Sequence, residues 1–358
     1  MQQVRDSLNP EVATFEVFEK AKDELLKDSG LWILDEELFS AWMDGKIPLL
    51  FIYGSPGAGK SFLSCRIIQI LGQVHPQGVQ GAPRASVAYF FCKNNASGLR
   101  SHRSILLTIA YQIAKNDPTY AKHVSRLQLF IQDCRSVTSL WQTLFIEFFT
   151  RKECRSSALM VLDGLDEADE EERPRFLKLM SALYSSENKT HSKLQVILVG
   201  RPEIIEELDA ALGFLPPKIE INPAKNSNDI RRYIENTVIQ SKLIRRRPKA
   251  LQDEIIEKLS AGANGFFLWA SLMLQEVEKA SRLDVIRKTL NNLPKGLTEA
   301  LRQVVTRYSE TMEAEEIDDL NVRSPSLPKL KRKINPFFAA HTVVGSVCPA
   351  AFVPSRTW

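Results

Sequence analysis

A three-layer α/β fold, with a five-stranded parallel sheet between helices and an all-helical region after it, is the architecture this sequence predicts. Three observations predict it. Five short apolar runs are rich in β-branched and aromatic residues, helical segments lie between them, and the strand signal stops beyond Asn222. Strands alternating with helices favour parallel pairing with right-handed crossovers, because each helix must return the chain to the same end of the sheet.

Ahead of the first strand, Ala13–Lys27 spaces Phe15, Phe18, Ala21 and Leu25 as a helix would, and a second helical stretch covers Leu31–Met43. These read as packing helices ahead of the main domain. The predicted strands are Ile47–Tyr53, Ala85–Phe91, Ala158–Asp163, Leu194–Val199 and Lys218–Ile221. The helices between them are Ser61–Leu71, Ser104–Lys115, Leu140–Phe149 and Arg173–Tyr184. The helical region holds Ser227–Ser241, Ala250–Ser260, Gly265–Ala280, Asp284–Leu290 and Leu297–Tyr308. An acidic run, Glu313–Asp319, then opens a tail without periodicity or repeat, expected to be disordered. The predicted organisation is thus a helical leader over 1–45, a sheet domain over 46–222, a helical lid over 223–310 and a tail over 311–358.

A chain of 358 residues accommodates roughly two cores. Its 47 Lys and Arg against 43 Asp and Glu leave a formal charge of +4, which argues for neither nucleic acid nor a membrane as partner. Five widely spaced cysteines without a CxxC pair disfavour a disulfide framework or a zinc site and fit a reducing, cytoplasmic compartment. No secretory signal or apolar anchor is read at the N-terminus.

The chemistry concentrates in three segments. Gly54, Ser55, Pro56, Gly57, Ala58, Gly59, Lys60 and Ser61 spell GSPGAGKS, matching G-x-x-x-x-G-K-[ST] between a predicted strand and a predicted helix. The glycines let consecutive N–H groups curl around a phosphate at a helix N-terminus. Lys60 would reach the β- and γ-phosphates, and Ser61 would bind Mg²⁺. A glycine-rich turn with an exposed lysine is the plainer alternative. The run ALMVLDGLDEAD places Asp163 at the C-terminal edge of the sheet, where it would hold the magnesium, with Asp166 or Glu167 polarising an attacking water. A solvated acidic helix start, including Asp169, is the competing reading. The strand LQVILVGRPE ends in Arg201, either a γ-phosphate sensor or a surface arginine, while Arg103 is expected to pair locally. No LSGGQ-like signature occurs, and ENKTH at 187–191 lacks the aspartate of a guanine-reading NKxD. The basic IRRRPK at 244–249 reads as a solvated turn.

With GSPGAGKS, LMVLDGLDEAD and VILVGRPE in this order, the chain resembles the NACHT branch of the STAND P-loop NTPases, in particular the nephrocystin-3-like N-terminal domain common in fungal ankyrin-repeat proteins. YFFCKNN, NPAKNSNDIRRYIENTV, ANGFFLWASLMLQ and NNLPKGLTEAL extend the likeness over roughly residues 30–300. The resemblance implies a P-loop strand flanked by the sensor strand, a helical lid, ADP or ATP with Mg²⁺ as ligand, and a signalling switch with slow hydrolysis. Protein partners or further copies of the chain would read its state. It assigns Gly54–Ser61 as the Walker A loop, Asp163, Asp166 and Glu167 as the Walker B group, and Arg201 as the sensor. Gly262–Leu268 becomes a lid stretch on the adenine side. The chain departs from related switches in having no histidine between His191 and His341 to latch the β-phosphate, and in showing neither an effector domain nor repeats. A non-enzymatic nucleotide-binding scaffold or truncated remnant and a small-molecule phosphotransferase remain the rival readings.

Overall fold

Five parallel strands form one sheet in the computed structural model, which describes residues 1–76, 85–184, 193–280 and 282–311. They are β1 (Leu49–Tyr53), β2 (Ala85–Phe91), β3 (Ser157–Asp163), β4 (Leu194–Gly200) and β5 (Lys218–Glu220). Their spatial order is β2-β3-β4-β1-β5. The predicted strands are therefore present within a few residues, and the strand before GSPGAGKS lies beside the strand before Arg201, as the resemblance implies. Every residue of β4 is buried, as expected of a strand covered on both faces. ENKTH, His191, His341, Cys348 and the tail from 312 lie outside the described residues.

The chain divides into two units: residues 1–55 with 60–221, and residues 56–59 with 222 onward. In the first unit the leader is part of the core. Val4 and Leu8 of an additional helix, Gln2–Leu8, are buried, and Phe18 of the helix Ala13–Glu24 packs on Tyr89 with ring centroids 4.6 Å apart. Leu31–Met43 proves to be two pieces, a 3₁₀ turn over Leu31–Asp35 and a helix over Glu37–Met43. Residues 140–149 fall on a helix interrupted by a π-turn at Gln142–Ile146. Pro118–Arg126, another helix absent from the sequence reading, starts where the Asp117 carboxylate accepts the N–H groups of Thr119 and Tyr120. That cap followed by proline at the first helical position is a sequence signal that could have found it.

The outer edge of β2 is closed by side chains. Gln112 accepts the Tyr89 N–H through Oε1 at 3.1 Å and donates to the Tyr89 carbonyl through Nε2 at 2.7 Å. Thr14 Oγ1 accepts the Phe91 N–H at 2.8 Å. Elsewhere, Arg66 on the helix Lys60–Val74 reaches the turn after the leader helix. Its Nη2 donates to Leu26 and Lys27 carbonyls at 2.6 Å each, and its Nε donates to the Ser29 carbonyl at 2.7 Å.

The second unit is helical: Pro223–Gln240, Lys249–Ala263, Phe267–Lys279, Leu283–Asn291 and Leu297–Thr311. Ile230, Ile234 and Val238, one turn apart on the first helix, join a core around fully buried Trp269. The indole N–H of Trp269 is satisfied by the Pro294 carbonyl at 3.1 Å. The segment 244–249 is a turn whose Ile244 is buried while Arg245 and Arg246 are exposed. No helix among the described residues is long and apolar enough to cross a membrane, and Cys65, Cys92, Cys134 and Cys154 are free thiols.

Candidate functional site

Three adjacent strands deliver the chemistry to one edge of the sheet. Tyr53, the last residue of β1, pairs in register with Gly200, the last of β4, so Gly54 and Arg201 leave the sheet side by side. Asp163 ends β3, next to β4, and pairs with Phe91 at the end of β2. The C-terminal ends of parallel strands are where ligands bind in folds of this kind, because the chain diverges there and opens a crevice.

At that edge the Asp163 carboxylate is almost wholly buried and both its oxygens are engaged. Ser61 donates to Oδ2 at 2.6 Å and Ser64 to Oδ1 at 2.7 Å. Burial raises its pKa against the opposing pull of Lys93, the two serine hydroxyls and Lys60. Ser64 was not singled out from the sequence, although it lies three residues beyond Ser61 on the same helix and therefore on the same face. Lys60 directs its ammonium back into the loop, donating to the Gly54 carbonyl at 2.8 Å and to the Ser55 carbonyl at 3.1 Å. Withdrawal from water lowers its pKa, and the nearby Asp166 and Asp163 carboxylates oppose that shift.

The acids after β3 separate into three roles. Asp166 Oδ2 pairs with Arg201 Nε at 2.8 Å, and its Oδ1 accepts the Arg201 backbone N–H at 3.2 Å. Glu167 accepts the Asn94 N–H at 3.3 Å and faces Lys93 at 3.8 Å, with both side chains less than a tenth exposed. Burial raises the Glu167 pKa, and Lys93 pulls it back. Lys93 was quoted within YFFCKNN without a role. Its place two residues past the end of β2 was the available signal. Asp169 stands apart, accepting the N–H groups of Glu171 and Glu172 and pairing with Arg100, so the plain reading of a helix-start acid holds for it. Arg103 donates to the Ile131 and Cys134 carbonyls, capping the end of the helix Gln128–Asp133 rather than pairing with residues near it in the chain.

The turn that carries these acids is shaped by Gly164 and held by Arg173. Gly164 has φ +72°, and a Cβ there would lie 2.8 Å from the Cys92 carbonyl oxygen, so only glycine fits. Arg173 grips Glu207 with two bonds of 2.7 Å and also donates to the Asp166 and Ala168 carbonyls at 3.3 and 3.4 Å. Glu207 lies on the helix Ile204–Leu212 that follows Arg201. No sequence spacing announced this contact, since its partners are 34 residues apart.

The crest of the glycine loop, Pro56–Gly59, falls in the helical unit. There the Gly57 carbonyl accepts the Leu268 N–H at 3.3 Å, and the Ala58 carbonyl accepts Asn226 Nδ2 at 3.1 Å. The same Asn226 amide donates to the Gly265 carbonyl at 2.9 Å. Gly57 has φ +79°, and a Cβ would come within 2.7 Å of Leu268 Cβ. Of the stretch Gly262–Leu268 predicted for the lid, Gly265 and Leu268 thus meet the loop crest or its tether. Among the described residues the Gly57, Ala58 and Gly59 N–H groups have no protein acceptor, while the first two carbonyls do. Such a run of free donors at a helix start suits the oxygens of a phosphate chain. The hydroxyl and carboxylate oxygens at Ser61 and Asp163 are hard donors of the kind Mg²⁺ takes. No three His, Cys, Asp or Glu side chains among the described residues could hold a metal together.

Residues 28–201 match the family model described as Nephrocystin 3, N-terminal. Vegetative incompatibility protein HET-E-1 of Podospora anserina is 27% identical over 314 residues, which cover 83% of this chain and 22% of that protein. The chain therefore spans well under two thirds of this relative. Among solved structures, Cdc6p from Pyrobaculum aerophilum superposes with a TM-score of 0.44 at 15% identity, over 74% of this chain and 66% of its own. The Aeropyrum pernix ORC2 protein, solved as ADPNP-ADP complexes, gives 0.41 at 14%, over 73% and 65%. Over residues 28–201 the chain is therefore similar to the nephrocystin 3 N-terminal family, the resemblance that its motifs carry.

Proposed function

We propose that the protein is a nucleotide-dependent signalling switch that binds ADP or ATP with Mg²⁺ and hydrolyses the triphosphate slowly. The observation that carries this reading is the pairing of Ser61 and Ser64 hydroxyls with both oxygens of buried Asp163 at the C-terminal edge of the sheet. In this reading the loop Gly54–Ser61 holds the phosphates, and Lys60 exchanges its two carbonyl partners for phosphate oxygens. Ser61 and Asp163 would hold the magnesium ion, which would supply positive charge to the phosphates. Asp166, paired with Arg201, or Glu167, paired with Lys93, orients the attacking water, and Arg201 answers to the terminal phosphate. Residues 46–222 are the nucleotide-binding domain, 223–310 the element whose state follows the nucleotide, and 1–45 a leader. Protein partners or further copies of the chain read that state in a reducing cytoplasm.

The test is identification of co-purifying nucleotide, followed by Mg²⁺-dependent binding and phosphate release with the full chain and Lys60→Ala. The expected outcome is bound ADP or ATP that Lys60→Ala loses, with turnover well below the roughly 1–100 per second of phosphotransferases. Absence of saturable Mg²⁺-dependent binding, with Lys60→Ala indistinguishable from the parent, sinks the reading. Acceptor-dependent turnover inside that faster range replaces it with a phosphotransferase.

A further inference from the structure

A cavity of about 330 Å³ opens in the first unit where the leader meets the edge of β2, away from the strand ends that carry the phosphate loop. That volume is at the lower end of the range for small-molecule sites. Its lining includes the rings of Phe15, Tyr89 and Tyr111 together with Val87, so its interior favours a flat apolar body. Arg5 and Lys115 complete it with two cations, and neither has an ion-pair partner among the described residues.

No carboxylate lines the cavity, and three of the acids near it in the chain are engaged elsewhere. Glu11 accepts the Ala13 N–H at 3.2 Å, Glu19 pairs with Lys22 at 2.9 Å, and Asp6 accepts Gln2 Nε2 at 2.8 Å. A site with apolar aromatic walls and two uncompensated cations selects a ligand that is aromatic at one end and anionic at the other. An extended peptide adding to the sheet is disfavoured, because Gln112 already takes both outward backbone groups of Tyr89.

We propose that this cavity is a binding site for a small aromatic carboxylate, its ring against the wall that Phe15, Tyr89 and Tyr111 form and its carboxylate answered by Arg5 and Lys115. The site is independent of the nucleotide reading, since none of its residues belongs to the phosphate loop or the acidic turn.

The experiment is calorimetric titration of the full chain with indole-3-acetate and with its uncharged counterpart, indole-3-ethanol. The acid is expected to saturate one site and to bind about three- to tenfold more tightly than the alcohol, the range that two partly exposed ion pairs provide. The double variant Arg5→Gln/Lys115→Gln alters only exposed side chains and is expected to erase that preference. Val87→Phe, checked for folding by circular dichroism, is expected to fill the cavity and weaken both ligands. The proposal is overturned by lack of saturation with either ligand, by equal affinity for acid and alcohol, or by an acid preference that survives the double variant.

Discussion

Asp163 shows how a buried carboxylate is kept at the expense of stability. It is sealed at the end of β3 with two hydroxyl donors, and burial still raises its pKa. Glu167 shares the direction and the cause. Folded carboxyls with raised pKa values bind more protons than their unfolded counterparts. Stability therefore falls as pH climbs above the ordinary values, 3.8 for Asp163 and 4.5 for Glu167, and the loss is complete once pH passes the raised ones. At neutral pH the ligand-free protein carries this burden. Asp163→Asn keeps oxygen and nitrogen at hydrogen-bond distance from Ser61 and Ser64 while removing the charge. It is expected to raise the melting temperature of the nucleotide-free protein and, on the proposed function, to abolish the further rise that Mg²⁺ with nucleotide would give the parent. A fall in melting temperature without ligand would contradict this account. Much of this residue's role was legible in sequence, because an apolar run that ends in aspartate after a phosphate loop fixes both burial and edge position. Lys93 and Ser64 were not, since their importance comes from where β2 and the loop helix bring them.

Among the elements, the helix Lys60–Val74 does two jobs from one stretch of sequence. Its first turn carries Lys60 and Ser61, and its second carries Ser64 and Arg66, whose guanidinium organises the carbonyls of Leu26, Lys27 and Ser29. A buried guanidinium with several charge-assisted hydrogen bonds leaves its acceptors unsatisfied when removed. Arg66→Ala is therefore expected to cost about 2–4 kcal/mol in denaturant unfolding and to speed amide exchange at residues 26–30. Unchanged exchange there would show that the turn holds itself. The strands were legible because buried parallel strands read as continuous apolar runs, and the amphipathic helices because their apolar faces recur every turn. The leader's integration was not, since its decisive contacts join Thr14 to Phe91 and Glu11 to Thr108, far apart in the chain. Arg173 eluded the sequence for the same reason: its bidentate partner arrives on another helix.

For the whole molecule, the response to acid is set in part by His102. Its ring is fully buried against Phe176, with centroids 4.7 Å apart, and burial lowers its pKa from 6.5 to about 4. As pH falls below 6.5 the unfolded chain takes up a proton that the folded protein refuses, and stability is lost progressively until about pH 4. The total available from a shift of this size is about 3 kcal/mol. His102→Leu should leave stability near pH 7 largely intact and flatten its decline between pH 6.5 and 4, as read by urea unfolding at several pH values. An unchanged slope would mean that the ring is protonated in the folded state, with Glu172, 3.5 Å away, as its partner.

The closed edge of β2 also limits how copies of this protein associate. A bare outer strand offers its amides to any extended segment, and growth by strand addition then has no natural stopping point. Here Gln112 occupies both groups of Tyr89 and Thr14 the N–H of Phe91, so at these two positions side chains from within the same unit take the bonds that a sixth strand would make. Self-assembly that engages this side of the sheet must therefore match shape and charge on helix surfaces. Such contacts can be finite in number and reversible.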